Sequence, residues 1–341
     1  MANMLVLVEG QSAKRNAQRE MERNVKSSLA SRGVRNIGFP SGNRNETLYS
    51  AGEAKLWCAF GDSEDAKVPR RWNAFGVFED RRRAQMITVE VNIPTTTNSA
   101  TVAGFFAKDP ATGAVYLMHD GGVGGGKSGV GQGAFLAWTT RELVPVERSK
   151  GGPRDAILIG RADAADLADR IWKYVLEVRA FKDAVKRGDL DTPAFRKRLT
   201  EWKKYKRESS GRRRGRRRAE IDYISYHGDV VHALWIARES GKTASELVTK
   251  SPLIDLLVRS GKEMTELYEV KTSVNRQSLY TAVGQLMTHS VGATADVKRI
   301  LVVPEGTIPD DLNRCFGVLG IEMRRFQITG GPKRKKVSLI V

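Results

Sequence analysis

The sequence predicts a mixed α/β (α+β) fold with a β-rich N-terminal module, a helical connector and a C-terminal domain built on a central mixed sheet. Residues 51–160 contain short segments in which apolar and polar side chains alternate, as they do in half-buried strands. Residues 161–207 change to apolar spacings of three and four, which are typical of helices. Residues 221–341 alternate strand-like and helix-like segments, the order found in α/β folds.

The first 50 residues are interpreted as a leader segment. The apolar run Met4–Val8 predicts a strand, and the polar run Gln11–Ser31 predicts a helix. Gly38–Asn45 consists mainly of turn-forming residues and predicts a loop.

Residues 51–160 are interpreted as a β-rich module that recognises the target. Met86–Ile93 alternates and is rich in β-branched residues, which predicts a strand. Thr101–Ala107 and Ala114–Met118 repeat the pattern around the turn Lys108–Gly113, which predicts a hairpin. Ala134–Trp138 is a further apolar segment.

Residues 161–220 predict two helices followed by a basic linker between domains. The first helix carries apolar side chains at spacings of four, four and three: Leu167, Ile171, Val175 and Val178. Thr192 and Pro193 are typical of an N-cap and a first helical position, which predicts a second helix to about Arg207. Residues 201–220 hold ten basic side chains against three acidic ones, a charge run typical of an exposed connector.

Residues 221–341 predict one domain in which strands and helices follow each other in the order β–β–α–β–α–β. The predicted segments are a helix at Gly228–Glu239, a short helix or loop at Thr243–Lys250, strands at Leu253–Val258 and Glu266–Thr272, a helix at Ser278–His289, a strand at Arg299–Val303, a helix at Asp310–Leu319, the segment Ile321–Ile328 and a strand at Val337–Val341.

Two carboxylates and an amine are predicted to meet at one edge of this sheet. Glu269 and Lys271 share a face of their strand because strand side chains alternate, while Tyr268 and Val270 point into a core. Asp255 lies on the strand expected to pair with them as a hairpin. Such a cluster is costly to bury unless its charges are compensated, and Mg²⁺ with oxygen ligands would compensate it. We expect the Asp255 and Glu269 carboxylates and the Val270 carbonyl as ligands.

The stretch Ile254-Asp255-Leu-Leu, followed by Leu267-Tyr-Glu269-Val-Lys271-Thr, resembles the PD-(D/E)xK, restriction-endonuclease-like nuclease superfamily. The segment Tyr280–Leu286 is similar to the helix that follows the ExK strand in many members, and His227-Gly-Asp229 resembles the first helix of the fold. The likeness covers about residues 221–330. One departure is that Ile254, not Pro, precedes the acidic residue, although Pro252 is near.

The resemblance implies a Mg²⁺-dependent DNA endonuclease, with Mn²⁺ as a substitute metal, of the kind found in restriction and other anti-phage systems. It implies Asp255, Glu269, Lys271 and Gln285 as catalytic residues and His227, Asp229 and Tyr280 as accessory ones. Lys271 would orient or deprotonate the attacking water or stabilise charge on the phosphate. Two alternatives stay open. Asp255 could cap a turn after its strand, with Glu269 and Lys271 as an exposed pair on an edge strand. The domain could also bind nucleic acid without cutting it.

A third alternative is a nucleotide-hydrolysing enzyme, because Gly121–Ser128 fits the P-loop pattern GxxxxGK[ST]. A P-loop must run directly into a helix whose N-terminus meets the phosphates. Gly129, Gly131 and Gly133 follow instead, and glycines make a first helical turn costly. We expect a mobile loop here, or one whose backbone and Lys127 contact DNA.

The charge of the chain predicts a polyanionic partner. The 341 residues include 57 Lys and Arg against 39 Asp and Glu, a net charge of +18, and such an excess is typical of nucleic-acid-binding proteins. We expect DNA, with RNA as the alternative. The side chains expected to contact it are Arg70, Arg71, Trp72, Lys127, Arg212, Arg213, Arg214, Arg216, Arg217 and Arg218.

Three further expectations concern the setting of the protein. No long apolar run is present, so no membrane span is expected. The two cysteines, Cys58 and Cys315, form neither a disulfide framework nor a zinc-ligand cluster, which favours a reducing, cytoplasmic setting. A homodimer is expected because one nuclease site cuts one strand.

Overall fold

The structure, a computed structural model, describes residues 4–39, 41–64, 67–125, 128–139, 141–208, 218–251, 254–261, 263–293, 296–331 and 334–340. It is a mixed α+β fold that divides into two compact units. The N-terminal unit comprises residues 1–138 and 143–217, and the C-terminal unit comprises 139–142 and 218–341. Within the described ranges, no helix combines the length and the apolar character needed to cross a membrane.

A closed five-stranded barrel lies in the N-terminal unit. Its strands, in pairing order, are β1 (Leu5–Leu7), β11 (Leu143–Glu147), β12 (Arg154–Arg161), β10 (Val115–His119) and β9 (Gly104–Lys108). The predicted hairpin is the pair β9–β10. Strand β1 closes the barrel, because it pairs in parallel with β11 and antiparallel with β9. Strand β1, which lies in the segment interpreted as a leader, is therefore part of the barrel.

A second sheet lies in the same unit. In pairing order it consists of β6 (Ala84–Met86), β2 (Ala30–Phe39), β3 (Gly42–Ser50), β4 (Leu56–Ser63), β5 (Arg70–Val77) and β7 (Val89–Glu90), with β8 (Ile93–Pro94) also paired to β5. The loop predicted at Gly38–Asn45 is wrong over most of its length, because Gly38 and Phe39 end β2 and Gly42–Asn45 begin β3. Strand β2 is exposed over its first half, so polar residues stand on both faces and no alternation appears in the sequence.

The α-helices among the described residues of this unit are α1 (Gln11–Lys26), α2 (Gln132–Trp138), α3 (Leu167–Arg187) and α4 (Pro193–Glu208). The predicted apolar spacing of α3 is confirmed, because its four apolar side chains are at most 1% exposed. The N-cap at Thr192 is also confirmed, since its Oγ1 accepts a hydrogen bond from the Phe195 N–H at 3.2 Å. Helix α1 ends earlier than predicted, because the chain turns into β2 at Ala30.

The C-terminal unit contains the predicted mixed sheet. Its six strands pair in chain order: β13 (Glu246–Ser251), β14 (Ile254–Ser260), β15 (Glu263–Val270), β16 (Lys298–Pro304), β17 (Ile321–Gly331) and β18 (Arg334–Ile340). The pairs β15–β16 and β16–β17 are parallel, and the others are antiparallel. The helix or loop predicted at Thr243–Lys250 is wrong over most of its length, because it forms β13 at the edge of the sheet.

Helices cover both faces of this sheet: α5 (Arg218–Ser240), α6 (Arg276–Ser290) and α7 (Asp310–Val318). Helices α6 and α7 make the crossovers that parallel strands require. One core packs Leu279 and Leu286 of α6 against the sheet, and the other packs Val230 and Leu234 of α5 against Tyr268. Burial on both faces explains why Ile300–Val303 in β16 are all apolar.

Candidate active site

The carboxyl end of β15 holds the predicted Glu-x-Lys pair. Glu269 is 4% exposed, and its Oε1 accepts a hydrogen bond from Lys271 Nζ at 2.7 Å. The Lys271 N–H donates to the Val302 carbonyl at 2.8 Å, which fixes this backbone against β16. Tyr268 and Val270 are each 1% exposed and belong to the opposite core, so the predicted alternation is confirmed.

Asp255 reaches the same place from the neighbouring strand β14. Its side chain is buried, and Oδ2 accepts a hydrogen bond from the Val270 N–H at 2.8 Å. The two strands pair as the predicted antiparallel hairpin, with Leu256 opposite Tyr268. The Asp255 side chain thus satisfies a backbone donor of β15 just beyond the residues that pair with β14.

Gln285 joins the cluster from helix α6. Lys271 Nζ donates to its Oε1 at 2.6 Å. The helix is fixed at its start by Asn275, whose side chain accepts from the Ser278 N–H at 2.9 Å, and by the buried Leu279 and Leu286. The lysine ammonium is therefore held between a carboxylate on its own strand and an amide on the next helix.

His227 of α5 approaches the cluster on the side of Asp255. Its Nε2 lies 3.5 Å from Asp255 Oδ2, and the residue is 7% exposed. Burial lowers the pKa of His227, but the Asp255 carboxylate outweighs burial, so the pKa lies above its ordinary value. A protonated imidazole here would balance the charge of Asp255.

The pKa values of Asp255 and Glu269 are shifted in opposite directions. Burial alone would raise the pKa of Asp255, but His227, the Val270 N–H and Lys271 together hold it below its ordinary value. Burial and the negative charge of Asp255 raise the pKa of Glu269 to about 8. Perturbed pairs of this kind are concentrated at functional sites.

The oxygen atoms of the cluster fit a hard cation. Among the described residues, none donates a hydrogen bond to Asp255 Oδ1 or to Glu269 Oε2, so each carboxylate keeps one oxygen available. The same part of the chain contains no group of three or more His, Cys, Asp or Glu side chains placed to hold a metal ion. Two carboxylates with the Val270 carbonyl suit Mg²⁺ better than Zn²⁺, because Mg²⁺ is usually bound by one or two carboxylates together with waters and substrate oxygens.

Asp229 and Tyr280, the other two accessory residues predicted from the sequence, differ from His227 in their positions. Asp229 is half-buried on α5, two positions after His227. Tyr280 is 51% exposed on α6, and its hydroxyl accepts from Arg276 Nη1 at 3.1 Å. The described contacts thus give Tyr280 a partner on its own helix and none in the cluster.

The residues expected to contact nucleic acid are only partly described. Trp72 is 3% exposed, and its Nε1 donates to Glu90 at 3.2 Å, so its side chain belongs to the core. Arg71 is engaged by Glu22 and Asp62 at 2.9 and 2.5 Å, and Arg70 is half-buried in β5. Arg218 is the first residue of α5. The remaining ones lie outside the described residues: Lys127, Arg212, Arg213, Arg214, Arg216 and Arg217.

The glycine-rich loop does not have the geometry of a P-loop over its described part. Gly126 and Lys127 lie outside the described residues, and α2 begins only at Gln132. Strand β10, which precedes the loop, pairs antiparallel with both its neighbours in the barrel. A helix that starts late cannot present its N-terminus to a phosphate held by the loop.

One group of polar residues in the N-terminal unit was not found by sequence reasoning. Asp120 and Arg154 form a buried ion pair at 2.5 Å, although 34 positions separate them. Gln132 and Trp202 line the cavity above this pair. No spacing in the sequence connects residues so far apart, and only the pairing of β10 with β12 brings Asp120 close to Arg154.

Comparison of the chain with protein-family models, with curated proteins and with solved structures gave no match.

Proposed function

We propose that the C-terminal unit is a Mg²⁺-dependent nuclease of restriction-endonuclease-like fold that hydrolyses phosphodiester bonds in DNA. One observation carries the proposal: Asp255, Glu269, Lys271 and Gln285 converge from two strands and a helix. A charged cluster buried between two apolar cores has a cost that packing alone does not explain. A catalytic use explains it.

Asp255 and Glu269 would hold the cation with their available oxygens, and the Val270 carbonyl would add a third. When bound, Mg²⁺ supplies a Lewis acid that activates water and offsets the charge of the phosphate. His227 would hold the Asp255 carboxylate in place through the 3.5 Å contact. The pKa of Glu269, raised to about 8, means that binding the cation displaces a proton from this carboxyl at neutral pH.

Lys271 would act on the attacking water or on the phosphate. Its ammonium has three donors, and contacts with Glu269 and Gln285 use two of them. Within the described part of the chain the third donor has no partner. It can therefore donate to a phosphate oxygen, and an ammonium fixed from two sides stabilises developing negative charge without reorganising.

The charge of the chain supports a nucleic acid as substrate. A net charge of +18 favours association with polyanions over long range. We propose DNA, a role in restriction or anti-phage defence, and a homodimer for cutting both strands. RNA is the alternative substrate, and the cleavage experiment that follows distinguishes it from DNA.

The test is cleavage of modified and unmodified plasmid DNA, and of an RNA of equal length, with Mg²⁺ or with EDTA. We expect DNA cleavage with Mg²⁺ only, and its loss in Lys271→Ala. Lys298→Ala, an exposed lysine at the opposite end of the neighbouring strand, is the matched control and should cut normally. Binding without cleavage in the wild type would instead identify a nucleic-acid-binding protein with an inactive nuclease-like domain.

A further inference from the structure

A cavity of about 310 Å³ opens in the N-terminal unit beside the barrel. This volume is at the lower end of the range for ligand pockets, roughly 300–1,000 Å³, and suits one planar heterocycle. The lining residues used below are Asp120, Gln132, Leu136, Arg148, Arg154 and Trp202. None belongs to the nuclease cluster.

Arg154 supplies hydrogen-bond donors at the base of the cavity. Its Nη2 donates to Asp120 Oδ2 at 2.5 Å and to the Val102 carbonyl at 2.7 Å, and its guanidinium stacks 4.3 Å from the centre of the Phe105 ring. The side chain is 9% exposed. Within the described residues, Nε and Nη1 have no hydrogen-bond partner, so the fixed guanidinium still has donors to offer to a ligand.

Gln132 supplies the complementary acceptor. Its Nε2 donates to the Asp120 carbonyl at 3.0 Å, which orients the amide, and no described residue donates to its Oε1. The cavity therefore offers one hydrogen-bond acceptor, the amide oxygen of Gln132, and several donors, the guanidinium N–H groups of Arg154. Glutamine and arginine are the side chains that match the mixed donor and acceptor edges of nucleobases.

The remaining walls suit the faces of a flat ring. Leu136 and Trp202 line the cavity, and a Cβ added at Gly133 would lie 3.8 Å from Cζ3 of Trp202. The indole thus lies against the start of α2, next to Gln132. Stacking on an aromatic side chain binds any base, because every base has a π face.

We propose that this cavity receives a single nucleobase turned out of the nucleic acid that the protein binds. The inference rests on the proposed function only in requiring a nucleic-acid partner. Trp202 stacks on the base, while Arg154 and Gln132 bond its edge. Arg148, oriented by its Nε donation to the Gly152 carbonyl at 2.7 Å, contacts the adjoining phosphate. The N-terminal unit then selects its target by one base in a pocket.

Binding to matched duplexes tests the proposal. The full chain with Lys271→Ala is titrated in EDTA onto a fully paired duplex and onto one with a single central mismatch. A mismatched base is easier to extrude, so we expect about tenfold tighter binding or more for the mismatch. 2-Aminopurine at the mismatch should change its emission on binding. Running the series as DNA and as RNA identifies the source of the base, and a mismatch preference in either one supports the cavity.

Variants of the lining distinguish base capture from general affinity. Gln132→Leu and Trp202→Ala should abolish the mismatch preference while keeping affinity for the paired duplex. Arg196→Ala, on the exposed side of α4, should keep the preference. If Trp202→Ala does not fold, Gln132→Leu decides alone. Equal affinity of the parent protein for both duplexes, or a preference that survives in the folded lining variants, would overturn the proposal.

The two proposals fail separately. A protein that prefers the mismatch but never cleaves keeps the base cavity and loses the nuclease. A protein that cleaves with Mg²⁺ but shows no mismatch preference keeps the nuclease and loses the base cavity.

Discussion

Lys271 Nζ lies 2.6 Å from Oε1 of Gln285, a residue 14 positions later on the helix that follows its strand. The contact joins the carboxyl end of β15 to helix α6. The amide has no charge of its own, so it orients the ammonium without neutralising it.

Gln285→Leu should therefore slow cleavage by about 10- to 100-fold, less than the loss of Lys271, which we set at roughly 10²- to 10⁴-fold. Gln277→Leu, an exposed glutamine on the same helix, is the control and should be as active as the wild type. Initial rates on a labelled duplex measure both. Equal rates for the two variants would remove Gln285 from the site.

Mg²⁺ should stabilise the C-terminal unit against unfolding. A ligand at 100 times its Kd adds about 2.7 kcal/mol to the free energy of unfolding. Asp255→Asn should abolish the increase, whereas Glu305→Gln, an exposed residue after β16, should retain it. Thermal melts with and without Mg²⁺ measure the effect. If the Asp255 variant still gains stability from Mg²⁺, the cation binds elsewhere.

In EDTA, the stability of this unit should fall as pH rises from about 4.5 to about 8. The folded state keeps a proton on Glu269 up to about pH 8, whereas the unfolded chain loses it near 4.5. His227 adds a change of the same sign, because its folded pKa also lies above the unfolded value. Urea unfolding at several pH values measures the slope, and Glu269→Gln should flatten it. An equal slope in that variant would contradict the assignment.

Acid should destabilise the N-terminal unit by a different route. His119 is fully buried, with Tyr174 Oη 2.8 Å from its Nδ1. Burial lowers its pKa to about 4, against which Asp120 acts only weakly. The unfolded chain takes up a proton below about 6.5 and the folded state does not, so stability falls as pH drops from 6.5 to 4. The loss is roughly 3 kcal/mol, at about 1.4 kcal/mol for each pH unit. His119→Gln should be insensitive over this range in urea unfolding.

The ion pair between Asp120 and Arg154 should matter far more than those on the surface. Asp120→Ala leaves a buried guanidinium without its counter-ion, which typically costs about 3–5 kcal/mol. Glu20→Ala removes an exposed pair with Arg23 and should cost less than about 1 kcal/mol. Chemical denaturation compares the two. Similar losses would mean that water reaches the buried pair.

Sequence patterns predicted helices and strands best in segments where burial imposes a regular spacing on the apolar residues. Helix α3 was predicted because one of its faces packs on a core, and the strand carrying Glu269 because Tyr268 and Val270 alternate with the residues of the site. Strand β13 and the β2–β3 hairpin were not, because an exposed strand carries few buried residues to mark it.

The candidate site divides in the same way. Asp255, Glu269 and Lys271 lie on adjacent strands of a hairpin, so local pairing brings them together and the sequence suffices. The position of His227 depends on how α5 packs against the sheet. The cavity of Asp120, Gln132 and Trp202 depends on how helices α2 and α4 pack beside the end of β10. Contacts that depend on tertiary packing produce no regular spacing of residues that could be recognised in the sequence.

The barrel has a consequence for synthesis on the ribosome. Strand β1 is made first, but its nearest partner in the chain is β9, where Val6 pairs with Lys108. At about 5–20 residues per second, this partner follows roughly 5–20 s later. Until then the apolar run Leu5–Leu7 has no partner strand of the barrel, so the nascent chain cannot close this barrel and chaperones have a window in which to bind it.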